Sequence, residues 1–205
     1  AAVAVVGVAA FVFIFQDIET PAYRVVQADG DVELRDYPAL VVAEIERRGT
    51  RRQAVQRGFG PLAGYIFARG RPGDRIAMTA PVTQRRRGED APLGPATAWV
   101  VRFIMPAEYR IEDLPSPGSP EVQLRDLPAS CRAAVRFSGV AGDDDFSARE
   151  ATLRSWLSER GLPSDGTVEY AYYNDPITPG FLRRNEVLID LPRDAACRRG
   201  SNDSG

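Results

Sequence analysis

Val32-Glu33-Leu34-Arg35-Asp36-Tyr37-Pro38-Ala39 returns about 90 residues later as Val122-Gln123-Leu124-Arg125-Asp126-Leu127-Pro128-Ala129. An internal repeat constrains architecture more than any single element, so it is read first. The segments behind the two copies agree in kind and order. After the first copy come an apolar strand (40–45), a helix-like segment (50–67) and another strand (75–82). After the second come a strand (131–137), a helix-like segment (145–160) and another strand (167–173). Two related halves, about 30–105 and 120–191, are therefore expected.

The chain has 205 residues, enough for one domain with a substantial core, and its apolar (44%) and charged (26%) fractions are those of a globular protein. A net charge of −2 argues against a general nucleic-acid binder, and none is expected as a partner. Arginine carries all the positive side-chain charge; there is neither lysine nor histidine. Without histidine there is no Ser-His triad and no imidazole metal ligand. Two cysteines cannot build a disulfide scaffold. Cys131 falls in a strand and Cys197 in a polar tail, so the expectation is one core thiol and one exposed thiol, not a bond.

Residues 1–15 are uninterrupted apolar sequence, shorter than the roughly 20 residues that span a bilayer. A membrane anchor, a signal h-region and a buried strand all fit. An anchor or signal over residues 1–17 is preferred, and the missing small-residue cleavage site favours an uncleaved anchor. It would hold a domain of residues 18–192 at the outer side of a membrane, with residues 193–205 as a disordered tail.

Asp29-Gly30-Asp31 between two alternating segments predicts a hairpin. Thr50 with Gln53 three residues on predicts a capping box and a helix start. That helix is unusual: Gly58, Gly60, Pro61 and Gly64 all lower its propensity. Val55, Phe59, Leu62 and Ile66 form a stripe expected in the core. Beside it Arg52, Gln56, Phe59, Gly60, Ala63 and Phe67 form a flat face. It could either pack closely on a sheet or lie against a planar apolar ligand.

Arg75-Ile76-Ala77-Met78-Thr79-Ala80-Pro81-Val82 is read as a strand and residues 84–96 as a solvated hairpin loop. The loop reading also absorbs Arg85-Arg86-Arg87, since Glu89 and Asp90 come directly after them. The second helix carries Phe146, Glu150, Leu153 and Leu157 on one stripe, with Trp156 alongside. Strand, strand, helix, strand, strand, twice over, gives an α+β class: a duplicated βαββ-type repeat closing into a distorted antiparallel barrel flanked by two helices.

Several stretches then resemble the SOUL family of haem-binding proteins. They are Pro21-Ala22-Tyr23 with Glu33-Leu34-Arg35-Asp36-Tyr37, the Arg75 to Val82 run just quoted, Phe103-Ile104-Met105-Pro106 and Arg183-Arg184-Asn185-Glu186-Val187. The resemblance spans residues 18–191. It implies two repeats in a fold akin to bacterial effector-binding domains. It also implies non-covalent binding of haem or another porphyrin in a shallow apolar groove between the first helix and the loop before the last strand. On this chain the helix side is Arg52, Gln56, Phe59 and Ala63; the loop side is Tyr173, Pro176, Ile177, Pro179 and Phe181. Some relatives are proposed to hold the iron through a histidine, and this chain has none. Groove methionines of some relatives are Phe59 and Ala63 here. A basic residue that could meet a propionate is Gly64, leaving Arg52 or Arg183 to do so. Tyr172 or Tyr173 is the conceivable axial ligand.

About 200 Å² of porphyrin face is worth on the order of 5 kcal/mol before association costs, enough for micromolar binding without an iron ligand. The implied protein is a monomeric, non-enzymatic carrier or buffer of haem. Two other readings stay open: a general binding module for small hydrophobic effectors, and an enzyme using a carboxylate such as Glu169 or Glu186.

Overall fold

The computed structural model describes residues 18–88, 96–174 and 178–197. The expected anchor (1–17) and the end of the chain (198–205) lie outside them. Among the described residues nine strands form one antiparallel sheet: β1 (Arg24–Asp29), β2 (Val32–Tyr37), β3 (Leu40–Arg48), β4 (Val82–Arg86), β5 (Ala98–Ile104), β6 (Gln123–Leu127), β7 (Ser130–Ser138), β8 (Val168–Tyr172) and β9 (Arg184–Leu191). Helix α1 (Arg51–Ile66) comes after β3, α2 (Asp143–Glu159) after β7, and a short α3 (Arg193–Ala196) after β9.

Strand order is β1-β2-β7-β9-β8-β4-β5-β3-β6. The duplication is written into it. Replacing β2, β3, β4 and β5 by β6, β7, β8 and β9, and the reverse, reads the same order backwards from β2 to β6. The pseudo-two-fold axis passes between β4 and β8, where Gln84 lies opposite Tyr170. Each repeat lends its first strand to the other: β2 pairs with β7, and β6 with β3. The sheet is not closed, because its edge strands β1 and β6 do not pair with each other; the expected barrel is an open sheet.

Both helices cover one face. Under α2, Phe146, Leu153 and Leu157 pack with Ala133, Val135, Val187 and Ile189; under α1, Leu62 and Ile66 pack with Ile45, Val101 and Phe103. Thr50 caps α1 as expected: its Oγ1 accepts from Gln53 N at 3.3 Å and Gln53 Oε1 accepts from Thr50 N at 3.2 Å. Gly58 is where α1 comes closest to the sheet. A Cβ there would meet Val101 Cβ at 3.0 Å and Ile45 Cγ2 at 3.2 Å. This contact turns the buried band onto Ala54, Gly58, Leu62 and Ile66, so Val55 is only half-buried and Phe59 is 38% exposed.

Four expectations differ from the structure. The strand expected over 75–82 begins only at Val82, because the N–H groups before it bond elsewhere: Ile76 N to Ile66 O and Ala80 N to Glu19 O, both at 2.8 Å. The strand β4 then runs on through Arg85 and Arg86, which were expected in a loop. The tail expected from residue 193 starts as α3, and Cys197 beyond it is disulfide-bonded to Cys131. Arg193 Nε to Asp36 Oδ1 (3.0 Å) anchors that turn over the β2–β7 pair. The turn brings the two Cα atoms to 5.8 Å. Polar composition hid this, because the anchoring contacts are themselves polar.

Candidate functional site

Residues directly opposite one another in an antiparallel sheet point to the same face. One such row reads Ala43, Phe103, Val82, Tyr172, Asn185, Phe137 across β3, β5, β4, β8, β9 and β7. It lies on the helix face. Phe59 of α1 sets its ring edge-on to Phe103 at 5.2 Å, and Phe146 of α2 meets Tyr172 at 5.5 Å and Phe137 at 5.2 Å. Between the helices, half-buried Val82 and Tyr172 form the floor of an apolar strip. Phe59 is its wall. Along that wall α1 is smooth: a Cβ on Gly60 would meet nothing within 4 Å, and one on Gly64 only Arg69 Cβ at 4.0 Å.

On the helix side, Arg52 and Gln56 are exposed, Phe59 half so, and Ala63 is buried at the foot of the wall. The loop-side residues do not all converge on the strip. Tyr173 points to the opposite face, where its hydroxyl donates to Glu186 Oε2 at 2.8 Å and Arg184 stacks on its ring at 3.9 Å. Pro176 and Ile177 lie outside the described residues. Half-buried Pro179 leads into a 3-10 turn, Gly180–Leu182, in which Phe181 is 79% and Leu182 55% exposed. That turn rests on Val140, at the entry to α2. Arg183 donates from Nε to Thr178 O at 2.8 Å.

Two residues at the strip were not singled out as its lining by sequence. Arg51, not Arg52, is the buried arginine of the first turn. It lies over the Phe146 ring at 4.2 Å, donates to the Tyr172 hydroxyl and pairs with Asp143 at 2.6 Å. Tyr172 is thereby pinned, and Gln84 Oε1 accepts from it at 3.3 Å. Burial pushes the Tyr172 phenol up to about 12, with the Arg51 charge offsetting only part of the rise. An iron bond to that oxygen would have to displace the Arg51 and Gln84 contacts and a proton held more firmly than on a free tyrosine, which makes Tyr172 a poor iron ligand.

The two carboxylates considered for catalysis are both spent. Glu169 is held by Thr83 (2.7 Å), Arg132 (2.7 Å) and Arg102 (3.4 Å). Glu186 receives two bonds from Arg35 (2.7 and 3.0 Å) and two from Arg184 (2.7 and 3.1 Å). Burial alone would raise both groups, yet these arginines hold each below the ordinary glutamate value.

Two helices on one face of an open, duplicated antiparallel sheet, with Val82 and Tyr172 half-buried between them, define a duplicated α+β fold. The C-terminal domain of EcmrR superposes with a TM-score of 0.59 at 11% identity, over 83% of this chain and 98% of that one. A hydrolase from Listeria innocua superposes with the same score at 12% identity, over 81% and 94%. At such identities the likeness is one of fold. Sequence goes further: residues 18–190 match the SOUL heme-binding protein family, and the chain belongs to that family. Heme-binding protein 2 of Homo sapiens is 30% identical over 180 residues, 85% of this chain and 86% of the human protein; its Mus musculus counterpart is 28% identical over the same length.

Proposed function

We propose that the protein binds haem or a related tetrapyrrole non-covalently, laid flat on the strip between α1 and α2, with no protein ligand to the iron. The observation that carries this is the Phe103–Val82–Tyr172 floor beside half-exposed Phe59, an apolar surface with a smooth, glycine-lined wall. A porphyrin face gains from burial there, and a rim arginine adds a charge-assisted contact to a propionate. Arg52 and Arg183 are the groups for that contact, and Phe181 closes the far side. The absence of histidine and the protonated Tyr172 support binding through the macrocycle. The name of the human relative is consistent with this ligand.

Carriage or buffering of the ligand at the outer side of a membrane, as a non-enzymatic monomer, completes the reading. The apolar run of residues 1–15 supports the membrane. The buried Cys131–Cys197 bond supports an oxidising compartment. The saturated state of Glu169 and Glu186 supports a binding role. An absorbance titration tests it: hemin added to micromolar protein should give a saturable Soret shift, and Phe59→Arg should weaken it about tenfold or more while leaving the fold intact. No saturable shift would refute the proposal.

A further inference from the structure

The helix-free face of the sheet carries charge, and it holds a cavity of about 720 Å³. Its walls include Glu44, Arg85, Val100, Arg102, Arg125 and Leu127. Most of its arginines are matched: Arg47 with Glu121 (3.0 Å), Arg87 with Glu46, and Arg102 and Arg125 sharing Glu44 (2.8 and 2.6 Å). Arg85 differs. Its Nε is buried with no hydrogen-bond partner among the described residues. Burial, and then the neighbouring Arg102 charge, hold its pKa below the usual arginine range. A guanidinium N–H buried in this way normally finds an acceptor such as a carboxylate or a phosphate.

The duplication shows what belongs there. Arg125 occupies in the second repeat the place of Arg35 in the first. Glu186 lies opposite Ala171 and Arg136; Val100 lies opposite Arg85 and Glu46. The pseudo-two-fold axis therefore exchanges Glu186 with Val100, Ala171 with Arg85, and Tyr37 with Leu127. Around Arg35 the space is full: Glu186 places a carboxylate bidentate on the guanidinium, and Tyr37 and Tyr173 close over the pair. Around Arg125 the glutamate is Val100 and the tyrosine is Leu127. Glu186 thus has no counterpart at Val100: Arg125 leans instead on Glu44, which it shares with Arg102, and an extra cation, Arg85, lines the space with its Nε unpaired among the described residues.

We infer that this cavity is a second binding site, for a small polycarboxylate anion whose carboxylate takes, between Arg85 and Arg125, the place that Glu186 fills in the other half. Arg85 provides the buried charge-assisted contact and Arg125 the rim contact. The site is on the opposite face from the tetrapyrrole strip and does not depend on that reading.

Calorimetric titration of the full chain with citrate, and separately with inorganic phosphate, tests it. Wild type should bind citrate and melt at a higher temperature in its presence. Arg85→Met should weaken citrate about tenfold or more, the effect of losing one charge-assisted bond. It should also fold at least as stably as wild type without ligand, because a half-buried cation with an unpaired Nε is gone. Absence of citrate binding, equal binding by Arg85→Met, or phosphate binding as tight as citrate would each overturn the proposal. So would a lower melting temperature for Arg85→Met with no citrate effect in either protein, which would make Arg85 merely a counter-charge for Glu169, Glu44 and Asp190. Hemin should bind Arg85→Met as it binds wild type. A matched loss would put the propionates in this cavity and remove the second site.

Discussion

The two halves of the sheet share one plan and are finished differently. Around Arg35, a glutamate, two tyrosines and the added strand β1 close the space; Arg35 is 1% exposed and Glu186 fully buried. Around Arg125, the same backbone leaves a hollow, and the side chain of Arg125 is 56% exposed. The same motif on the same strand meets opposite fates, so position on a repeat decides less than what the neighbouring strand brings to it. Buried ion pairs need every partner, so the filled half is costly to break, whereas the hollow half is free to accept a ligand.

The largest effect should come from loosening the clamp on the filled half. Cys131 and Cys197 close a 66-residue separation, and loop entropy puts the bond at about 4 kcal/mol. Cys197→Ser in urea unfolding should lose most of that; a loss below about 1 kcal/mol would show that α3 holds by its other contacts alone. Next is Arg35→Met, which leaves Glu186 with Arg184 as its remaining ion-pair partner among the described residues and should cost about 3 kcal/mol. Adding Glu186→Leu should restore much of this, since a fully apolar replacement leaves no stranded charge.

The pair also sets a pH dependence. Because Glu186 has a lower pKa folded than unfolded, its contribution is complete above the ordinary value of 4.5 and is lost as pH falls through the folded pKa. Glu169 has the same sign. Wild type should therefore lose stability below about pH 4 more steeply than the Arg35→Met/Glu186→Leu protein; parallel acid curves would contradict the ion-pair account. The smallest effect is the most pointed. Val100→Glu places the filled half's carboxylate in the hollow half, beside Arg85 and within the cavity that Arg125 also lines. It should change stability by only about 1 kcal/mol while abolishing citrate binding. Unchanged citrate binding would break the equivalence of the two halves.

Much of the fold was legible in the chain. The Val32 and Val122 octapeptides announced the duplication, Thr50 and Gln53 the start of α1, and alternation most of the strands. The exchange of β2 and β6 between repeats was not legible, since a strand's pattern shows which face is apolar and not which partner it takes. Nor was the contrast between Glu186 and Val100, which exists only in strand register. At the site, Phe59 and Ala63 were legible from the glycine-rich face of α1. Tyr172 could have been chosen over Tyr173 by counting alternation along β8 from buried Val168 and Tyr170. Cys197 and Arg51 could not, because each is drawn inward by a partner far away in sequence: Cys131 and Tyr172.

The central claim is that the strip beside Phe59 grips the flat macrocycle and not its metal. Parallel absorbance and tryptophan-fluorescence titrations with hemin and with iron-free protoporphyrin test it directly. The two dissociation constants should be equal within about threefold, and both should rise in Phe59→Arg. Hemin binding roughly a hundredfold tighter than protoporphyrin, or both unaffected by Phe59→Arg, would contradict it.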